Sequence, residues 1–285
     1  MGTKGTRMPE RSIAGKRIAI TGAGAGIGAA TARLLAAHGA AVWLGDLDPA
    51  AADAVAGEIR AAGGTAGTAP LDVADEASFA AFLDAAEADG PLDVLVNNAG
   101  VMWVGPFLDE SAGSVQRQVA VNLIGPITGT RLAARRMVPR GRGLIVTVAS
   151  AASKLSPAGE ATYSGTKHGV YGFLKAARRE LRGTGVELSV VMPAVVDTAL
   201  AAGTTTGAAA LLTPEAIAGA IGATVARPRF EVHVPRTVGL LHRLQTLVPQ
   251  PVKDLLDRYL IPDQVRTADR AVRSGYERDA LGDAD

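Results

Sequence analysis

Arg17-Ile18-Ala19-Ile20-Thr21-Gly22-Ala23-Gly24-Ala25-Gly26-Ile27-Gly28 starts as a short apolar run, breaks into glycines and leads into residues 29–37, which read as a helix. Strand, glycine loop and helix in that order form the opening unit of a parallel α/β sheet. The same rhythm continues downstream. Strands are expected over residues 41–45, 65–70, 92–96, 144–148, 187–191 and 231–234. Helices are expected over residues 49–62, 75–88, 111–137, 162–181 and 214–226, the last opened by Pro214 in its first turn. Apolar strands that barely alternate, separated by helices, predict a doubly wound, mostly parallel sheet covered on both faces. Such sheets bind ligands at the carboxyl ends of their strands, so the loops after strands are where function is sought.

Composition narrows the options. The 285 residues suit one large α/β domain. Hydrophobic residues make up 48% and charged residues 20%, which excludes global disorder. Lys and Arg number 29 against 28 Asp and Glu, so there is no general electrostatic grip on nucleic acid. The absence of cysteine excludes disulfides, thiolate metal sites and a cysteine nucleophile. It is compatible with the cytoplasm, which is the expected location. No histidine pair or carboxylate cluster has metal-ligand spacing, so no metal is expected.

Three segments are expected: a flexible leader over residues 1–14, a nucleotide-binding and catalytic domain over 15–234, and a C-terminal amphipathic helical extension over 235–285. No apolar run reaches the roughly 20 residues of a membrane span. Residues 199–210 are small and follow a strand end, which suits either a substrate lid or an ordinary loop. Residues 238–260 carry two amphipathic pieces, which suit packing on the domain or on a partner subunit. With Arg236, Arg243, Lys253 and Arg258 beside them, they also suit peripheral membrane contact.

The glycines of the first loop let backbone approach a pyrophosphate, and the following helix start offers free N–H groups and a positive dipole end. Asp46 closes the second strand, 18 residues after Gly28, near the spacing at which an acid accepts hydrogen bonds from an adenosine ribose. A 2′-phosphate would meet that negative charge, and neither Ala25 nor Leu47 supplies a compensating cation. NAD (NADH) is therefore expected over NADP. Asp48 is the better candidate for capping the next helix.

Tyr163 and Lys167 stand four apart and share a helix face. A neighbouring ammonium favours the phenolate and brings its pKa toward neutrality, giving a base able to take a proton from an alcohol. Tyr171 and Lys175 repeat the spacing, so spacing alone does not choose between the pairs. Position favours Tyr163, which begins the helix beside the loop that carries Ser150.

Taken in order, these motifs resemble the short-chain dehydrogenase/reductase family over roughly residues 14–234, which implies a Rossmann-like fold. Thr21-Gly22 with Gly24, Gly26, Ile27 and Gly28 resembles its cofactor loop. Leu71-Asp72-Val73 resembles its adenine-contacting turn, and Asn97-Asn98-Ala99-Gly100 its fourth-strand signature. Asn122 resembles the helix asparagine, Ser150 the serine 13 residues before the tyrosine, and Tyr163-Ser-Gly-Thr-Lys167 the catalytic helix. Pro193, Val196 and Thr198 fall in the nicotinamide-side loop, where Ala194 replaces the usual glycine. That replacement suggests a slightly different seat for the loop.

The resemblance implies a catalytic set of Asn122, Ser150, Tyr163 and Lys167. Tyr163 would exchange a proton with the substrate oxygen while hydride passes to or from nicotinamide. Lys167 would hold the ribose and lower the tyrosine pKa, and Ser150 would bond the substrate oxygen. Asn122 would hold a water through its backbone and side chain. The expected substrate is an apolar secondary alcohol or ketone, with steroid-like, terpenoid or long-chain molecules above sugars, met by Met102, Trp103 and Leu200 as well as Ser150 and Tyr163. The expected assembly is a homodimer or homotetramer. Alternatives are an NAD-binding sensor or scaffold without turnover, an NADP-dependent carbonyl reductase, and a lyase or epimerase.

Overall fold

The computed structural model describes residues 12–206, 210–239, 248–253, 255 and 261–282. Seven strands, β1 (Arg17–Thr21), β2 (Ala41–Asp46), β3 (Thr65–Pro70), β4 (Val94–Asn97), β5 (Gly143–Val148), β6 (Val186–Pro193) and β7 (Glu231–Val234), form one sheet. Its order is β3-β2-β1-β4-β5-β6-β7 and every pairing is parallel. The chain reverses its direction of winding between β1 and β4, where Ile20 lies opposite Val96. Their carboxyl ends therefore border the crevice in which such sheets bind ligands.

Helices α1 (Gly26–Ala37), α2 (Pro49–Ala61), α3 (Glu76–Glu87), α4 (Ala112–Val119), α5 (Gly125–Met137), α6 (Ala161–Glu180) and α7 (Pro214–Ala226) cover the sheet. Helix α8 (Arg270–Leu281) follows after a single turn at Gln264–Thr267. Asp48 caps α2 by accepting from the N–H groups of Ala50 and Ala51, and Asp75 caps α3 in the same way. Two apolar cores result, one per sheet face. Ile18, Leu35, Leu44, Val55 and Ile221 belong to the first, and Phe79, Phe82, Leu95, Met137 and Ile145 to the second.

The single helix expected over 111–137 is interrupted: Ala120–Ile124 forms a π turn between α4 and α5. Pro126 has no N–H for the carbonyl four residues back, that of Asn122, so the regular ladder cannot continue there. In the C-terminal extension, residues 240–247, 254 and 256–260, and with them most of the two amphipathic pieces expected over 238–260, lie outside the described residues. So do residues 1–11 of the leader. Among the described residues, no helix is long and apolar enough to cross a membrane.

Candidate active site

The nucleotide side is built from backbone and small residues. Gly22 has φ +63°, and a Cβ there would lie 2.8 Å from the Ala99 Cα. At Gly28 a Cβ would meet the Gly22 carbonyl oxygen at 2.0 Å, so no larger residue fits without moving the loop. Thr21 ties this loop to the end of β4: its hydroxyl accepts from the N–H groups of Asn98 (2.9 Å) and Ala99 (3.0 Å). The Asn98 amide donates to the carbonyls of Thr21 and Gly22, both at 3.0 Å. The start of α1 has no side-chain cap and no acidic residue in its first turn. Its N-terminal N–H groups and positive dipole end therefore suit a pyrophosphate, so the residues present fit a dinucleotide.

Asp46 does more than end β2. One carboxylate oxygen accepts from the Gly24 N–H at 2.7 Å and the other from the Asp48 N–H at 3.1 Å. It thus holds the middle of the glycine loop while lying at the edge where a ribose would arrive. Asp72 accepts from the Ala74 N–H at 2.9 Å and lies 3.5 Å from Arg117, and Val73 is buried beside Gly125. The Ala194 N–H donates to the Val234 carbonyl at 2.8 Å, and among the described residues none other than glycine has positive φ. Alanine therefore meets no backbone strain at that position.

Of the four residues of the expected catalytic set, Ser150 follows β5, Asn122 lies on the π turn, and Tyr163 and Lys167 lie on α6. Tyr163 and Lys167 are buried, and the Lys167 Nζ lies 5.4 Å from the Tyr163 ring centroid. Burial lowers the Lys167 pKa to about 8. Burial also drives the Tyr163 phenol well above its ordinary value, and the Glu160 carboxylate adds to the rise while the Ser150 hydroxyl bond opposes it. Burial, Glu160 and Tyr276 all raise this pKa, and the Ser150 hydroxyl bond is the effect that favours phenolate. Lys167 approaches the Val148 carbonyl at 3.4 Å.

Asn122 also departs from its expected part. Its side-chain oxygen accepts from the Val101 N–H at 2.9 Å, and its amide donates to the Val101 carbonyl at 2.7 Å. The side chain is a clamp on the loop after β4, so a water would have to be held by the backbone carbonyl that Pro126 releases. Tyr171 and Lys175 stand apart from these groups. The Tyr171 hydroxyl accepts from Lys154 at 2.7 Å and donates to Glu231 at 2.6 Å, beside β7.

A cavity of about 230 Å³ opens beside Tyr163. Ile27, Asn98, Gly100, Met102, Ser150, Lys167, Pro193, Val196, Thr198 and Leu200 line it. So do Leu155, Pro157, Thr204, Ile261 and Gln264. Trp103 is not part of this lining; it lies under the Arg270 guanidinium, 5.6 Å from ring centroid to carbon. Glu160, three residues before Tyr163, also lines the cavity and was not anticipated.

The roof comes from the far end of the chain. Arg273, fully buried, donates to the carbonyls of Leu200, Ala202 and Met102 and pairs with Glu277 at 3.0 Å. Tyr276 accepts from the Met102 N–H, Glu277 from the Val104 N–H, and Arg270 donates to the Val104 carbonyl at 2.6 Å. Gln264 exchanges two hydrogen bonds with the Thr205 backbone. Helix α8 therefore joins the loop after β4 to the loop after β6 across the cavity. The sequence signal was faint: Arg270, Arg273 and Glu277 recur at helical spacing, but as a polar stripe.

The short chain dehydrogenase family model matches residues 16–208. The chain is 33% identical over 278 residues to the ketoacyl reductase HetN of Nostoc sp., covering 93% of this chain and 96% of that protein. It is 39% identical over 191 residues to the 2,5-dichloro-2,5-cyclohexadiene-1,4-diol dehydrogenase LinX of Sphingobium indicum, covering 67% and 76%. The match to the probable oxidoreductase EphD of Mycobacterium tuberculosis is 40% identical over 189 residues and spans 66% of this chain but 32% of that longer protein. Among solved structures, a short chain dehydrogenase/reductase from Burkholderia phymatum in complex with NAD aligns at TM-score 0.77 and 29% identity, covering 83% of this chain and 95% of that one. A metagenomic short-chain oxidoreductase in complex with NADP aligns at TM-score 0.68 and 34% identity, covering 78% and 97%.

Proposed function

The chain belongs to the short chain dehydrogenase family, and from that premise we propose that it interconverts an apolar secondary alcohol and its ketone with NAD(H), Tyr163 being the general acid and base. The observation that carries the proposal is the convergence of Ser150, Tyr163 and Lys167 on one largely apolar cavity at the carboxyl ends of the strands. When bound there, the nicotinamide supplies or accepts hydride at the carbon bearing the reacting oxygen. Burial and Glu160 keep the phenol protonated at neutral pH, so the site starts in the form that donates a proton during ketone reduction. Oxidation requires that proton to leave first, and the Ser150 bond eases its departure. Lys167 is placed to hold ribose hydroxyls. A sensor or scaffold that only binds nucleotide has no need of the Tyr163 and Ser150 pair.

The cavity of about 230 Å³ is small for a ligand site and is shared with Ile27, Asn98, Pro193 and Thr198 of the cofactor side, which supports one-ring or short-chain substrates over the steroid-like ones expected from the apolar loops. For the cofactor, Asp46 at the ribose edge, without a cation at Ala25 or Leu47, supports NAD over NADP. Helices α4, α5 and α6 are the proposed surfaces of a homodimer or homotetramer. Calorimetry of NADH and NADPH on wild type and Asp46→Ala tests the cofactor assignment. NADH is expected to bind at least tenfold tighter, about 1.4 kcal/mol, and the substitution to erode that preference. Tighter binding of NADPH to wild type would reassign Asp46 to holding the Gly24 N–H alone.

A further inference from the structure

Glu160 occupies the N-cap position of α6, yet its side chain makes no capping hydrogen bond. An N-cap is usually a short side chain that bends back onto the first-turn N–H groups. The longer glutamate lines the cavity instead, in the turn that carries Tyr163. Only 8% of the residue is exposed, and among the described residues none donates a hydrogen bond to its carboxyl group. A buried carboxylate without a donor is costly, and burial raises its pKa to about 7 although the Arg273 charge opposes the rise. The other titratable groups near it are Tyr163 on its own helix, Lys167 one turn further along, and Tyr276 and Glu277 beside Arg273 on α8.

We propose that Glu160 is a specificity-determining residue that accepts a hydrogen bond from a second, non-reacting hydroxyl of the substrate, which makes the preferred substrate a diol or hydroxyketone on a small apolar skeleton. The proposal rests on the alcohol and ketone chemistry given above. In that chemistry, once the Tyr163 phenol has lost its own proton, the reacting carbon gives hydride to NAD and the reacting hydroxyl gives its proton to the phenolate, while the second hydroxyl keeps its proton and donates it only as a hydrogen bond. A neutral donor fits better than an ammonium group, because Arg273 already places positive charge near the carboxylate. Among the described residues of the lining Glu160 is the only carboxylate; Met102, Leu155, Pro157 and Leu200 are apolar, and the other side-chain acceptors, on Asn98, Ser150, Thr198, Thr204, Thr206 and Gln264, are neutral.

The test compares kcat/KM for cyclohexanol with those for the 1,2-, 1,3- and 1,4-cyclohexanediols, using NAD and the full-length protein. Wild type is expected to favour its best diol by about tenfold or more, as expected for a hydrogen bond to a charged group. The ratio should fall several-fold in Glu160→Gln, which keeps shape and an uncharged acceptor, and approach one in Glu160→Ala. Taking the ratio cancels the effect of the Glu160 charge on Tyr163, which both substrates share. A ratio near one in wild type, or an unchanged ratio in the glutamine variant, overturns the role of Glu160 while leaving the dehydrogenase assignment intact. Turnover of no alcohol and no matching ketone with either cofactor overturns both.

Discussion

The two halves of the crevice are built by different means. On the nucleotide side, turns, helix starts and close approaches of backbone make the site, and its few side-chain anchors, Thr21, Asp46 and Asn98, hold loops to one another. On the substrate side, the loops that line an apolar cavity are tied together by buried charged groups of the C-terminal helix, with Arg273 spanning Met102 and Leu200. The contrast suggests a division of labour: a rigid cradle suits a fixed cofactor, while a roof held by a few strong polar contacts can be altered without touching the cradle.

The sharpest way to break this contrast is Arg273→Met. The change leaves the carbonyls of Met102, Leu200 and Ala202 without their donor and Glu277 without its buried partner. The expected loss is about 3 kcal/mol or somewhat more in denaturant unfolding. The KM for substrate should rise about tenfold, about 1.4 kcal/mol, while NADH affinity stays within about twofold, about 0.4 kcal/mol. An equal loss of NADH affinity would show that the halves are not separable.

A smaller effect is expected at Glu160. Its folded pKa of about 7 lies above the ordinary glutamate value of 4.5, so between these values the folded protein holds more proton than the unfolded chain. Stability contributed at low pH is then lost as pH rises through that window. Glu160→Gln removes the titration and should gain on wild type by about 2 kcal/mol between about pH 4.5 and pH 8, at roughly 1.4 kcal/mol per pKa unit and discounted for the amide left buried. Parallel stability curves for the two proteins would contradict a buried, unpartnered carboxylate.

Legibility in the sequence follows the same division. The glycine loop, Asp48 and the strand and helix alternation could be read because each depends on residues close together in the chain. Tyr163 was separated from Tyr171 by position, and the structure places the second tyrosine beside β7, away from the cavity. The roof was not legible, since its bonds join residues such as Tyr276 and Met102 that lie 174 positions apart. It is also polar where hydropathy looks for apolar faces. Glu160 carries no signal in the sequence, because only the fold buries it. Trp103 reads as a substrate contact, but Arg270 covers it. The π turn at Asn122 escaped because apolar periodicity runs through it unchanged, and only the missing N–H of Pro126 marks the break.

The most direct test of the account is turnover of a cyclohexanediol followed by the nicotinamide absorbance, on wild type and on Tyr163→Phe, with NADH binding measured on both. Wild type should convert cofactor and substrate one for one. The phenylalanine variant should bind NADH normally and lose turnover by about 10³-fold, as expected for removal of a general acid and base. Comparable turnover by the two proteins would contradict the assignment of Tyr163, and with it the mechanism built around this cavity.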